Sequence, residues 1–141
     1  MHKITDDEII TLLKENRFKA TPQRLAICRF VLESHDHPSA EQIYTTIRKD
    51  YPTISLATVY KTLGLLDTIG LISELRFNAT HTRYDPKMSL HINIICPKCL
   101  NIDDFESNSL NKTWQAIISD IEGEILGQRI DVYKLCKNCK K

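Results

Sequence analysis

Long apolar segments are missing from this 141-residue sequence. No apolar run approaches the roughly 20 residues that a membrane-spanning helix requires, so no membrane segment is predicted. The first ten residues, MHKITDDEII, are polar and acidic, which does not fit a secretory signal. A reducing cytoplasm is therefore the expected compartment.

An excess of one charge sign is also missing. The chain has 19 basic and 18 acidic residues, a net charge of +1. The same balance holds along the chain, with 11 of each sign in residues 1–85, and 8 basic and 7 acidic in residues 86–141. Because nucleic-acid-binding domains are often basic overall, a DNA-binding prediction must here rest on a motif and on local charge. Repeats and low-complexity segments are absent too, so one or two small globular domains are expected.

Capping signals predict a helical first domain over residues 1–84. Each predicted helix starts where a capping residue precedes an amphipathic segment, at Thr5, at Thr21 with Pro22, at Ser39 with Gln42, and at Ser55. Gly70 is the expected cap after the last helix. The segments LISELRF and THTRYD then predict a hairpin. Helices followed by a hairpin predict a winged helix-turn-helix, in which SLATVYKTLGLL is the DNA-reading helix.

The second domain, residues 85–141, is predicted to be a small α/β domain, giving an α+β protein overall. LHINIIC and NIDDFE are expected strands, SNSLNKTWQAIISDIEG is an expected amphipathic helix that Gly123 closes, and EILGQRIDVYKLC is a further strand. Strand alternation places Leu90, Ile92 and Ile94 on one face, which we expect to point into the core. His91 and Asn93 then share the other face.

Four of the five cysteines form two C-x-x-C pairs, Cys96 with Cys99 and Cys136 with Cys139. This spacing predicts a closed four-thiolate structural zinc site that joins the beginning of the second domain to its end. Redox pairs or disulfides are the alternatives, but neither pair opens a helix in a βαβ context, as a thioredoxin-type pair would. Cys28 is expected to be a buried thiol within its helix.

A second metal site is suggested near the first cysteine pair, where His91 and Asn93 share a strand face. Acidic neighbours are Asp85, Asp103, Asp104 and Glu106, and the loop SHDHPSAEQ adds His35 and His37. Imidazole and carboxylate ligands suit iron, manganese or zinc. Spacing alone does not establish this site, because isolated loop histidines are usually solvated.

The predicted reading helix carries one lysine, several hydroxyl groups and no acid over residues 55–66, which suits a DNA groove. The expected base-facing residues are Ser55, Ala57, Thr58, Tyr60 and Lys61. Arg17, Lys19 and Arg24 are expected phosphate contacts. The alternatives are that these three are solvated charges and that Tyr60 packs within the helices.

The order of the motifs KATPQRLAIC, HPSAEQIY, SLATVYKTL, the strand leading into CPKC, and the final C-x-x-C resembles the ferric uptake regulator family. The resemblance covers nearly the whole chain and is greatest to the peroxide-responsive repressors of that family. It implies a homodimer with a winged-helix domain, an α/β dimerisation domain, and a metal-dependent repressor that binds double-stranded, palindromic operator DNA. It also implies that Tyr60 and the 57–61 segment face DNA.

The resemblance also implies two metal sites. Structural zinc would be bound by Cys96, Cys99, Cys136 and Cys139, and regulatory Fe(II) or Mn(II) would be bound by His37, Asp85, His91 and Asp104. An aspartate at position 104 is associated with peroxide sensing, and a glutamate with plain metal sensing. The expected fifth ligand is a histidine at position 93, where this chain has Asn93. An amide oxygen is a weaker ligand than an imidazole, so either Asn93 completes a looser site, or a spare histidine (His2, His35 or His81) completes it.

By this analogy, peroxide acting on the iron-bound protein would add oxygen to His37 or His91 and release the DNA, so the protein is expected to be a sensor and not an enzyme. The nearest alternative is an iron, manganese or zinc availability sensor without peroxide chemistry. A zinc hydrolase is disfavoured because the predicted thiolate shell leaves no open position. A protein-interaction module is a further alternative.

Overall fold

The computed structural model describes residues 3–78, 81–86, 90–125 and 127–140. The chain folds as two compact units, residues 1–88 and 89–141. The predicted boundary, between residues 84 and 85, lies a few residues before the observed division. The assignment of a function to each domain stays a prediction. No helix in the described stretches is long and apolar enough to cross a membrane.

The first unit contains four helices and an antiparallel hairpin in its described residues. These are α1 Asp6–Glu15, α2 Pro22–Leu32, α3 Ala40–Ile47, α4 Leu56–Thr68, β1 Ser73–Asn78 and β2 His81–Asp85. The predicted capping residues are the observed ones: Thr5, Thr21, Ser39 and Ser55 each accept a hydrogen bond from the backbone three residues later. The predicted helices and hairpin are therefore confirmed.

Gly70 ends α4 in the left-handed conformation, with φ of 81°. Its N–H donates to the Asp67 carbonyl at 3.1 Å, and the Leu71 N–H donates to the Leu66 carbonyl at 2.9 Å. This pair of bonds is a Schellman motif, in which glycine avoids the steric cost of a side chain. The predicted cap is confirmed.

The core of the first unit lies between the four helices and the hairpin. Its buried apolar side chains include Ile9, Leu13, Ile27, Cys28, Val31, Ile43, Val59, Leu63 and Ile72. Burial raises the pKa of the Cys28 thiol to about 12, which keeps it protonated and unreactive. Each buried Leu or Ile contributes about 1.5–3 kcal/mol relative to exposure, so this unit has a substantial core of its own.

Arg17 occupies the left-handed region after α1, with φ of 64°. Its N–H donates to the Lys14 carbonyl at 3.0 Å, and the Phe18 N–H donates to the Leu13 carbonyl at 2.8 Å, which is again a Schellman motif. A non-glycine residue in this conformation destabilises the folded state by about 1–2 kcal/mol. Replacement by glycine would remove this cost, but the greater freedom of glycine in the unfolded chain would offset about 0.4–1 kcal/mol of the gain.

We therefore expect Arg17→Gly to raise the free energy of unfolding by about 0.5–1 kcal/mol, measured by urea denaturation. Lys19→Gly is the matched control, because Lys19 has no positive φ, and it should lower the free energy by about 0.4–1 kcal/mol. Equal destabilisation by both variants would contradict the prediction.

The second unit contains a three-stranded sheet and one helix in its described residues. These are β3 Ile92–Ile95, β4 Ile102–Phe105, α5 Asn108–Ser119 and β5 Ile130–Tyr133. The strand order is β4-β3-β5, in which β3 pairs antiparallel with β4 and parallel with β5. The predicted α+β fold is confirmed, although α5 ends at Ser119, before Gly123, and β5 begins only at Ile130.

The two faces of this sheet are buried differently from the prediction. Asn93 and Ile95 are buried, whereas Ile92 and Ile94 are only half-buried. The expectation that the isoleucine face points into the core was wrong for the single chain. Strand alternation separates two faces but does not determine which of them is covered. The isoleucine face continues onto exposed Phe105 and Val132, which lie beside it in register.

Candidate functional site: two metal-ligand clusters and a helix surface

The four paired cysteines come together in the second unit. Their sulfur atoms all lie within 4.8 Å of one another, and Cys99 Sγ lies 3.8 Å from Cys136 Sγ. A regular tetrahedron with Zn–S bonds of about 2.3 Å places its sulfurs about 3.8 Å apart. The cluster therefore fits a zinc ion bound by four thiolates, as the sequence predicts.

Backbone turns position each cysteine pair. The Leu100 N–H donates to the Cys96 carbonyl at 2.8 Å, and the Cys96 N–H donates to the Asn101 carbonyl at 2.9 Å. In the second pair, the Cys139 N–H donates to the Cys136 carbonyl at 3.1 Å. The first turn follows β3 and the second follows β5, and since these two strands pair in parallel, both turns lie at the same end of the sheet.

The cysteine environment favours a bound cation. Backbone hydrogen bonds from Cys136 and Cys99 lower the pKa of the Cys96 thiol to about 6. The pKa of Cys139 rises instead to about 12, chiefly through its hydrogen bond with Cys136. Without a metal, one ionised sulfur opposes ionisation of the next, whereas a coordinated dication stabilises all four thiolates.

His37 and Asp85 form a buried pair in the first unit. His37 Nε2 lies 3.6 Å from Asp85 Oδ2, and both side chains are only 3% exposed. The loop that carries His37 is held to β2 by a hydrogen bond from the Tyr84 N–H to the Pro38 carbonyl at 3.0 Å. His37 has a φ of 49°, a conformation that costs energy in a non-glycine residue and that is enriched at functional sites.

His91, Asn93 and Asp104 form a second polar group, within the second unit. His91 Nε2 lies 3.1 Å from Asn93 Oδ1 and 3.6 Å from Asp104 Oδ1. The register pairs Asn93 with Asp104, which places both on one face of the sheet. Asp103 pairs with Ile94 and so lies on the opposite face, away from this group.

The structure thus places the predicted regulatory residues in two pairs, one in each unit, and the assignment of all four to one metal ion stays a prediction. Of the spare histidines, His35 is exposed. His2 and the side chain of His81 lie outside the described residues.

Sequence reasoning missed two residues beside Asn93. Asn93 Nδ2 donates to Asp131 Oδ1 at 3.1 Å, and Arg129 holds both Asp131 oxygens. Burial would raise the pKa of Asp131, but hydrogen bonds from Arg129 and Asn93 lower it overall. The alternation of side chains in RIDVY does not by itself show which face of the sheet Asp131 occupies. That face is known only when the pairing of β5 with β3 is known.

The outer surface of α4 carries most of the predicted DNA contacts. Ala57, Tyr60 and Lys61 are exposed, with Tyr60 45% accessible, and Val59, Thr62 and Leu63 are buried on the inner side. This exposure disfavours the alternative that Tyr60 packs in the core. The Tyr60 hydroxyl donates to Glu41 on α3 at 2.6 Å, which lowers the pKa of that carboxyl group.

The remaining predicted contacts are partly engaged in local structure. The Ser55 hydroxyl accepts from the Thr58 N–H at 3.1 Å as the cap of α4. Arg24 stacks over the Phe18 ring at 5.3 Å and donates to the Lys19 carbonyl at 2.9 Å. Arg17 and Lys19 are exposed. A role of these residues in DNA binding stays a prediction.

Comparisons with known proteins agree with these features. The model of the ferric uptake regulator family matches residues 15–133. The peroxide-responsive repressor PerR of Staphylococcus saprophyticus is 35% identical over 139 residues, covering 99% of this chain and 93% of that protein. The Campylobacter jejuni peroxide stress regulator superposes with a TM-score of 0.73 at 36% identity, over 94% of this chain and 99% of that one. The Helicobacter pylori ferric uptake regulator Fur, with a TM-score of 0.81 at 24% identity over 100% and 98%, shows the fold alone.

Proposed function

Because the chain belongs to the ferric uptake regulator family, we propose that it is a metal-dependent, DNA-binding transcriptional repressor that senses peroxide by oxidation of one of its own histidines. The observation that carries this proposal is the pairing of a histidine with a carboxylate in each unit, His37 with Asp85 and His91 with Asp104, at 3.6 Å in both cases. The names of relatives at 35–36% identity support the peroxide part.

The two pairs have the right chemistry for a divalent, redox-active ion. Two imidazoles and two carboxylates suit Fe(II) or Mn(II), whereas the four thiolates suit zinc. An ion that takes ligands from both units would restrict their relative freedom and favour one arrangement over the others, which is a population shift. That arrangement would be the one that binds DNA.

DNA binding is assigned to the exposed surface of α4, with Tyr60 and Lys61 at its centre, and Arg17 and Lys19 would contact phosphates. A second copy of the chain would cover the apolar sheet face that Ile92, Ile94 and Val132 form, giving a homodimer. A two-fold symmetric dimer requires a palindromic operator, because each protomer then reads one half-site. As a DNA-binding repressor, the protein would act in the cytoplasm.

In the peroxide response, a bound Fe(II) ion would supply the one-electron chemistry that activates peroxide and would undergo no net change of oxidation state. The two electrons that reduce peroxide would come from the imidazole. The imidazole of His37 or His91 gains one oxygen atom, and the second oxygen of peroxide leaves as water. The oxidised ring is a poorer ligand, so the metal is released and the affinity for DNA falls. Each chain reacts once, so the protein is consumed as a sensor and does not turn over as an enzyme.

Anaerobic loading with Fe(II), brief exposure to peroxide and peptide mass mapping test this proposal. We expect oxygen to be added at His37 or His91 in the iron-loaded protein and not in the manganese-loaded protein, because manganese does not reduce peroxide as iron does. Asp104→Glu should keep iron but lose most of the oxidation, as the resemblance to the two branches of the family implies.

A second candidate is a sensor of iron or manganese availability without peroxide chemistry. It is favoured by Asn93, because an amide replaces the expected imidazole at the regulatory site. Iron-loaded protein in which both histidines remain unmodified would establish this candidate and contradict the peroxide mechanism.

A further inference from the structure

Asn93 lies in the middle of a polar row that crosses the sheet of the second unit. It pairs with Asp104 on β4 and with Asp131 on β5, so these three side chains share one face at one level of the sheet. Asn93 itself is 3% exposed. A buried amide must have its donors and its acceptor satisfied, so the partners at its two ends define its orientation.

The two ends of the amide face different partners. One end lies 3.1 Å from Asp131 Oδ1, and the other lies 3.1 Å from His91 Nε2. An ionised carboxylate only accepts hydrogen bonds, so the end that faces Asp131 must be the NH₂ group. The carbonyl oxygen of Asn93 is therefore directed toward His91.

Asp131 is itself held in place by Arg129. The guanidinium Nε lies 3.0 and 2.9 Å from the two carboxylate oxygens, and Nη2 lies 2.6 Å from Oδ2. A forked, charge-assisted contact of this kind fixes both the position and the ionised state of a carboxylate. Arg129 thus fixes Asp131, and Asp131 fixes the Asn93 amide with its oxygen toward His91.

We propose that Asn93 binds the regulatory metal ion through Oδ1 and that Asp131, held by Arg129, is a positioning residue that keeps this oxygen available as a ligand. This inference rests on the proposed function, which supplies the metal ion and the ligands His91 and Asp104. His91 Nε2 lies 3.1 Å from Asn93 Oδ1 and 3.6 Å from Asp104 Oδ1, and Asn93 and Asp104 are partners in the strand register, so the three side chains are neighbours.

The chemical consequence is a harder ligand set. A neutral amide oxygen in place of imidazole gives two nitrogen and three oxygen ligands, which weakens the preference for Zn(II) and Cu(II) over Mn(II) and Fe(II) relative to a site with three imidazoles. The replacement of the histidine expected at position 93 would then change metal selectivity without removing a ligand. We expect Asn93→His to tighten Zn(II) binding at this site more than Mn(II) binding.

The test measures Mn(II) binding to the zinc-loaded full chain by the electron paramagnetic resonance signal of free Mn(II), and coordination by the visible spectrum of Co(II). Asn93→Leu should weaken Mn(II) binding at least tenfold and alter the Co(II) spectrum. Asp131→Asn should weaken it by roughly 10–100-fold, the usual cost of losing a residue that orients a ligand. Asp103→Asn, the same change on the opposite face of the sheet, should alter neither measurement.

An exchanged pair separates positioning from simple structural support. In Asn93→Asp/Asp131→Asn, the amide and the carboxylate trade places, so a hydrogen bond is kept and an oxygen still faces His91. We expect this double variant to recover Mn(II) affinity and a five-ligand Co(II) spectrum relative to Asp131→Asn alone. A role confined to joining the strands would leave the Co(II) spectrum unchanged in every variant.

Two failures can be told apart. If wild-type protein binds no Mn(II) beyond the zinc site, the proposed function fails and this inference fails with it. If wild type binds Mn(II) and His91→Ala does not, while Asn93→Leu and Asp131→Asn bind as wild type does, the proposed function stands and Asn93 is not a ligand. Zinc content of one per chain in each variant verifies that the second unit is folded.

Discussion

Cys96→Ser is expected to unfold the second unit. That unit buries few apolar side chains in its described residues, and α5 buries none, so its stability depends on the ion that joins β3 to the chain end. Structural zinc contributes an apparent ~10–16 kcal/mol in small zinc-dependent folds. Loss of one of four thiolates should therefore remove on the order of 5 kcal/mol from the free energy of unfolding of this unit.

Metal analysis, circular dichroism and native mass spectrometry measure this effect. We expect Cys96→Ser to lose zinc and to become monomeric. Its circular dichroism spectrum should lose the contribution of the strands of the second unit. Cys28→Ala is the matched control, because this thiol is buried among the helices of the first unit. It should cost about 1–2 kcal/mol for the loss of buried volume and keep one zinc per chain. A Cys96→Ser protein with full zinc content and an unchanged melting temperature would contradict the zinc assignment.

The second large effect is expected at the regulatory site. His91→Ala removes an imidazole whose side chain is 9% exposed and lies 3.6 Å from Asp104. Removal of a ligand should weaken Mn(II) binding by at least about 100-fold, more than the loss of an outer-shell residue usually does. Because a metal can shift an equilibrium only by its differential affinity for the two states, metal-dependent DNA binding should disappear with it.

Fluorescence anisotropy would measure this on a duplex selected from random sequences by the manganese-loaded wild-type protein. Wild-type affinity should rise with Mn(II), whereas His91→Ala and His37→Ala should bind the duplex equally with and without Mn(II). Asp103→Asn should respond to Mn(II) as wild type does, because its side chain lies on the other face of the sheet. Zinc content should stay at one per chain in all three variants, and the melting temperature of Asp103→Asn should be unchanged. If DNA affinity still rose with Mn(II) in both histidine variants, these residues would not form the site.

Local features of this protein are determined by the sequence itself. Each helix of the first unit is capped by a side chain that accepts a hydrogen bond from the backbone three residues later: Thr5, Thr21, Ser39 and Ser55. Gly70 ends α4 through hydrogen bonds that span no more than five residues. Contacts of such short range depend on residue type and order, so they can be predicted from a window of sequence. The two C-x-x-C pairs are predictable for the same reason, because each pair forms within one turn.

Long-range register is decided only by the tertiary structure. Asn93 meets Asp131, 38 residues farther along the chain, because β3 and β5 pair in parallel in one particular alignment. A shift of one residue would turn Asp131 to the other face. Likewise, alternation in β3 separated Asn93 from Ile94, but the packing of the folded chain decided that the amide is buried and the isoleucine half-exposed. Strand pairing and burial depend on the free energy of the whole fold, and a local pattern constrains them only weakly.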